Sequence, residues 1–199
     1  MRRSFGTLAA ALLSVACFSE QPASHAPVLP SGSVMGATFK PADGAVYAPP
    51  QKQCAIGHTS VLALTLSTAD GLCAAGSQPC ARAASATTVA VVIVRLGPGQ
   101  QPTVQPGTYA ITAGSPTPDL SGNVEIVRAT VTSTDAGCAL SPVAPTATGT
   151  LTLTQLRGGH ASGSVNLTFS DGGRLTGAFD VPICGSFDVC ASCSSVTCQ

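Results

Sequence analysis

An all-β fold, an antiparallel sandwich or flattened barrel of about eight to nine strands ending in a meander, follows from three features of this sequence. Only 9% of its residues are charged, whereas Gly 21 and Pro 15 are high and Ser and Thr abundant, a composition of β-branched strands and tight turns. Apolar residues recur at every second position in several stretches. The stretch from Ala147 to Cys184 reads as three consecutive strands with a glycine-rich turn at each junction.

Register within that stretch can be tested against the apolar pattern, because directly opposite residues share a face of the sheet. A two-residue loop at Gly158-Gly159 would set Leu153 opposite Ser164 and Thr152 opposite Val165, mixing the faces. A three-residue loop, Gly158 to His160, pairs Leu153 with Val165 and Leu151 with Leu167. The same reasoning at Asp171-Gly172-Gly173 pairs Phe169 with Leu175, Leu167 with Gly177 and Val165 with Phe179. The dry face then carries Leu151, Leu153, Val165, Leu167, Phe169, Leu175, Phe179, Val181 and Ile183, and the wet face is mostly Thr, Ser and Asn. A sheet with one dry face needs a second layer or closure.

From the N-terminus, residues 1–16 combine a basic start, an apolar run and small residues at Ser14 and Ala16, the pattern of a secretory signal. The run is too short for a permanent transmembrane helix. Leu13-Ser14-Val15-Ala16-Cys17 has the form of a bacterial lipobox, in which Cys17 is acylated and becomes the new N-terminus. Ser14-Val15-Ala16 also suits ordinary signal peptidase, which would leave a secreted or periplasmic protein. Residues 17–32 are polar and proline-bearing and read as a flexible tether, in which His25 is a solvated linker residue.

The β domain spans 33–185. Ser33–Phe39 and Ala45–Ala48 read as strands flanking a turn at Pro41-Ala42-Asp43-Gly44. Thr59–Ser67 alternates, and Thr87–Leu96 is so continuously apolar that a central strand covered on both faces is expected. Thr108–Thr112 and Glu125–Thr132 are further strands, followed by a turn at Asp135-Ala136-Gly137-Cys138. Residues 186–199 form a cysteine-rich tail.

Removing Arg2 and Arg3 with the signal leaves seven basic against nine acidic residues, and there is no Trp. With neither a basic field nor stacking platforms, nucleic-acid binding is not expected. Nine cysteines less Cys17 leave an even set, Cys54, Cys73, Cys80, Cys138, Cys184, Cys190, Cys193 and Cys198, which suits disulfides in an oxidising compartment. Eight cysteines allow on the order of a hundred pairings. Cys73 and Cys80 are expected to close a loop or reach neighbouring strands, with the tail stapled onto the domain end. Zinc held by Cys184, Cys190, Cys193 and Cys198 is disfavoured, because there is a single Cys-x-x-Cys and the chain is exported. A redox role for Cys190-Ala191-Ser192-Cys193 lacks a strand–helix context.

A catalytic triad would have to be assembled from His58 or His160, Ser60 or Ser162, and Asp70, Asp171 or Asp180. No Gly-x-Ser-x-Gly elbow supports it, so these histidines read as solvated loop residues. Asp43, Asp70, Asp119, Asp135 and Asp171 fall at turns, where carboxylates cap backbone N–H groups. Neither a calcium loop nor a phosphate-binding glycine loop is present. No catalytic residue, metal or cofactor is expected.

Leu13–Cys17, Pro106-Gly107-Thr108-Tyr109, Asp135–Cys138, Gly149–Leu153, Gly163–Phe169 and Leu175–Cys184 together resemble the uncharacterised exported lipoproteins abundant in myxobacteria. That resemblance implies a cysteine-linked β domain on an envelope anchor and carries no activity with it. The tail after Cys184 departs from the pattern.

The sequence thus points to a non-enzymatic envelope protein attached to the membrane through lipid at Cys17, in the outer membrane, serving as a structural or interaction module for an unknown envelope protein. The alternative is a β-barrel that holds a small ligand. A barrel interior lined by spare apolar side chains would favour that alternative, and a filled core would count against it.

Overall fold

The computed structural model describes residues 26–54, 57–76, 81–114, 122–141, 145–185 and 197–198. Its strands are β1 (Ser31–Val34), β2 (Ala37–Phe39), β3 (Asp43–Tyr47), β4 (Lys52–Cys54), β5 (Gly57–Ser67), β6 (Ala81–Arg82), β7 (Thr87–Gly97), β8 (Gly107–Ile111), β9 (Val124–Ser133), β10 (Ala147–Arg157), β11 (His160–Phe169), β12 (Arg174–Cys184) and β13 (Thr197–Cys198). One short helix, α1 (Leu72–Gly76), lies between β5 and β6.

Eight strands, in the order β8-β10-β11-β12-β3-β5-β7-β9, wrap into a nearly closed barrel, so the all-β fold class is correct. The barrel consists of two antiparallel meanders, β10-β11-β12 with β8 added on β10, and β3-β5-β7-β9. They meet at a parallel seam of two residue pairs, Ile183 with Val46 and Cys184 with Tyr47. Farther back along β12, the same edge is taken by Val28, whose N–H and C=O exchange hydrogen bonds with Asp180 at 3.1 and 3.0 Å, and then by β1. Leu29 packs on the core and Pro30 is buried, so the chain is ordered against β12 within the stretch that composition assigns to the tether.

Alternation sets the core. Val46 on β3, Leu62, Leu64 and Leu66 on β5, and Val89, Val91 and Ile93 on β7 point inward to meet Leu151, Leu153, Val165, Leu167, Phe169, Leu175, Phe179 and Val181 from the other meander. All are at most 3% exposed. Each such side chain contributes about 1.5–3 kcal/mol by leaving water. The dry face expected for the meander is correct in every member, although Ile183 is only partly buried.

Pairing within the meander differs from expectation. The first turn has two residues, Gly158-Gly159, both at positive φ, with Arg157 opposite His160. A bulge between Leu153 and Gln155 then inserts Thr154 as an extra residue, which sets Leu151 opposite Val165 and Leu153 opposite Gly163. The bulge removes the mixing of faces that a two-residue turn would otherwise produce. In the second hairpin the Gly172 N–H donates to Phe169 O and the Phe169 N–H to Gly173 O, both at 2.9 Å. The three-residue loop is therefore Ser170-Asp171-Gly172, with Gly172 at φ 86°, and Leu167 faces Leu175. Over 147–153 and in the second hairpin the registers differ from the expected ones by two residues, so those side chains keep their faces, whereas beyond the bulge the shift is one and Leu156 packs on the core.

Two further expectations need correction. Ser33–Phe39 is a hairpin and not one strand, because Met35 and Gly36 take φ of 54° and 74° and reverse the chain between Val34 and Ala37. β7 is central, between β5 and β9, but Ala90, Val92 and Val94 on its outer side are only half-buried.

Candidate functional site

The two meanders present different outer walls. Thr108, Thr148, Thr150, Ser164, Asn166, Thr168 and Thr176 stand exposed on β8 and the β10–β12 meander. Register places Thr150 between Ala110 and Asn166, and Thr108 Oγ1 lies 3.2 Å from Thr152 Oγ1. The other wall carries Ala45, Tyr47, Val61, Ala63, Val92, Val94 and Ile126 outward.

α1 lies over part of this apolar wall. Ala45, Tyr47 and Ala63 form a small second cluster, against which Leu72, Val92 and Cys184 pack. The small side chains at 45 and 63 leave room for the helix. Asp43, at the start of β3, turns its carboxylate toward the chain entering α1: Oδ2 accepts from the Gly71 N–H at 3.0 Å and the Leu72 N–H at 2.9 Å, and Oδ1 from the Gly44 N–H at 2.7 Å. The Tyr47 hydroxyl donates to Leu72 O at 2.5 Å. Burial, reinforced by the negative charge of Asp43, pushes the Tyr47 phenol up to about 12. Cys73 in α1 is disulfide-bonded to Cys184, the last residue of β12, with Cα atoms 5.1 Å apart. Helix, seam and wall are thus joined by one carboxylate, one phenol and one disulfide.

A second disulfide, Cys138–Cys198, bonds the tail to the turn after β9. β13 runs parallel to β6, pairing Thr197 with Ala81 and Cys198 with Arg82. Stapling of the tail onto the domain therefore occurs. Of the two expectations for Cys73, reach to a neighbouring strand is the one realised, and its partner is Cys184. Cys54 lies in β4 beside Gly57, and Cys17, Cys80, Cys190 and Cys193 lie outside the described residues, as do His25 and Asp119.

Of the triad candidates, the fold brings His160 and Asp180 together, with Nδ1 and Oδ1 3.4 Å apart and both side chains about half exposed. Ser162 stands opposite Asp180 in the ladder. Its Oγ lies 3.1 Å from Thr154 Oγ1, which itself donates to Ser162 O at 3.0 Å. The Thr154 proton is thereby used on the carbonyl, so the Ser162 proton goes to Thr154 and not to the imidazole. His58 is opposite Gly97 on β5, and Ser60 is buried. Asp135 caps Gly137 N and Ala139 N, and Asp171 caps Gly173 N, as their turn positions predict.

The barrel end beyond β7 is closed by residues 98–106. Arg95 pairs with Glu125 at 2.7 Å and donates to Thr103 O at 2.9 Å. Gln101, 3% exposed, donates to Gly99 O and to Asn123 Oδ1. Val104 drops into the core from the same loop.

Among the described residues, no three His, Cys, Asp or Glu side chains converge as metal ligands, and no helix is long and apolar enough to cross a membrane. The chain matches no protein-family model, no curated protein and no solved structure.

Sequence reasoning passed over the Asp43–Tyr47–α1 assembly. Its signals were present: two alanines facing outward from adjacent strands in a chain rich in β-branched residues, and one of only two tyrosines.

Proposed function

We propose that this protein is an exported envelope protein, anchored by lipid at Cys17, whose disulfide-stapled β domain is a non-enzymatic structural or interaction module. The observation that carries the reading is the filled interior: inward side chains from both meanders meet in one continuous core, so the surface is what the domain offers. A filled core counts against the ligand-holding barrel. The two disulfides fit folding in an oxidising compartment. Phe18 after Cys17 carries no acidic signal for retention at the inner membrane, which supports placement at the outer membrane.

The test is the intact mass of the protein taken gently from its native envelope, under native and then denaturing conditions. The reading expects a denatured mass for cleavage before Cys17 plus acyl chains, reduced by about 8 Da for four disulfides. It expects no small molecule retained in the native mass. A chain without acyl groups removes the anchor from the proposal, and a retained small molecule of discrete mass restores the ligand-holding barrel.

A further inference from the structure

The two described disulfides differ in accessibility. Each has one exposed cysteine, Cys73 in α1 and Cys198 in the tail, but the partner of Cys73, Cys184, is half-buried, whereas the partner of Cys198, Cys138, is only 4% exposed. A thiolate can attack only a sulfur it can reach in line with the S–S bond, so Cys73–Cys184 is open to attack from both ends, whereas Cys138–Cys198 is open only at Cys198.

The disulfides also differ in what they hold. Cys138–Cys198 attaches a two-residue strand to the outside of the domain. Cys73–Cys184 spans the seam between the meanders. There β12 and β3 share two residue pairs, against ten between β5 and β7 and ten between β7 and β9. Beyond the disulfide, α1 is held over β3 by the Asp43 carboxylate and the Tyr47 hydroxyl. The fold therefore places its most accessible described disulfide across its shortest barrel ladder.

We propose that Cys73–Cys184 is a redox-operated latch: a dithiol reductant of the envelope cleaves it, and the barrel opens locally along the β12–β3 seam. One thiolate of the reductant attacks Cys73 Sγ, forming a mixed disulfide and expelling Cys184 as a thiolate. The second thiolate of the reductant then attacks its own sulfur in the mixed disulfide and expels Cys73. Two electrons pass from the dithiol, which ends as a disulfide, and the two protein thiolates take up two protons. Opening frees the edge of β3 and the 183–184 end of β12, a pair of strand edges suited to an incoming strand. The meander pairs β10–β11 and β11–β12 keep their ladders. The inference goes beyond the proposed function and stands whether or not Cys17 is acylated.

The test treats the oxidised, signal-cleaved full chain with limiting dithiol, traps free thiols by alkylation at successive times and maps them by peptide mass. Cys73 and Cys184 are expected to be alkylated several-fold faster than Cys138 and Cys198. Hydrogen exchange on the protein reduced at that one bond is expected to show lost protection over 43–47 and at Cys184, with 147–169 and Ile183, whose N–H donates to Gly159 O, unchanged. The Cys73→Ser/Cys184→Ser double variant is expected to reproduce that exchange pattern without reductant. Equal or faster reduction of Cys138–Cys198 overturns the proposal. So does a reduced protein that keeps full protection at the seam, or one that loses protection throughout, since the disulfide would then be idle or a general staple.

Discussion

Asp43 and Leu72, on different elements and 29 residues apart, are joined by a hydrogen bond from the Leu72 N–H to Asp43 Oδ2 at 2.9 Å. Together with the neighbouring Gly71 N–H, it directs the chain leaving β5 back over the outer side of β3. That carboxylate fixes the entry to α1, which in turn covers Tyr47 and presents Cys73 to Cys184.

Replacing that carboxylate is the first prediction. Asp43→Asn keeps the shape but removes the charge behind three backbone hydrogen bonds and replaces one of the two accepting oxygens by an NH2 group, at a cost of about 1–2 kcal/mol in denaturant unfolding. It also removes the nearby negative charge that helps to raise the Tyr47 phenol, so Tyr47 is expected to titrate below its value of about 12. Ultraviolet titration of Asp43→Asn beside the parent, each carrying Tyr109→Phe so that Tyr47 alone absorbs, measures this. An unchanged midpoint would show that burial alone sets it.

Tyr47 gives the domain an alkaline limit. Its phenol ionises near 10 in the unfolded chain and at about 12 in the folded one, so between those values the folded state holds more protons. Stability is fully present below pH 10 and falls as the pH rises toward 12. Tyr47→Phe is expected to lose about 1 kcal/mol at neutral pH with the Leu72 hydrogen bond. It should also flatten that alkaline decline, as read from unfolding midpoints across the range.

Gly163 is a packing requirement. A Cβ there would stand 1.9 Å from Thr152 O and 2.9 Å from Phe179 Cζ, one atom being backbone and the other a buried ring. Gly163→Ala is expected to cost roughly 2–3 kcal/mol by overpacking. The control is Ser164→Ala on the exposed side of the same strand, expected within about 0.5 kcal/mol of the parent. Equal effects from both would contradict the register described above.

Arg95 ties the 98–106 loop to the barrel wall through Glu125 and the carbonyls of Pro102 and Thr103. Arg95→Ala is expected to cost about 1–2 kcal/mol, because the hydrogen bonds to a charged donor are lost together. Limited proteolysis should then cut within 98–106 before any strand. Resistance equal to the parent's would mean that Gln101 and Val104 hold the loop without it.

Local chemistry already present in the chain decided the strands, their faces and the turns. Alternation of apolar residues assigned Leu151, Leu153, Val165, Leu167, Leu175 and Phe179 to one face, and that assignment survived a change of register because the shifts were even. Side chains such as Asp135 and Asp171 cap N–H groups two residues away and need nothing distant, so their roles were legible as well. Only the tertiary structure decided the rest: the bulge at Thr154, the seam of β12 with β3, the pairing of Cys73 with Cys184, and the folding of α1 over Tyr47. Apart from the bulge, these join residues 25 or more positions apart, where no periodicity links partner to partner. What selects them is closure of the barrel, which brings Ile183 beside Val46 and leaves space for a helix above two alanines.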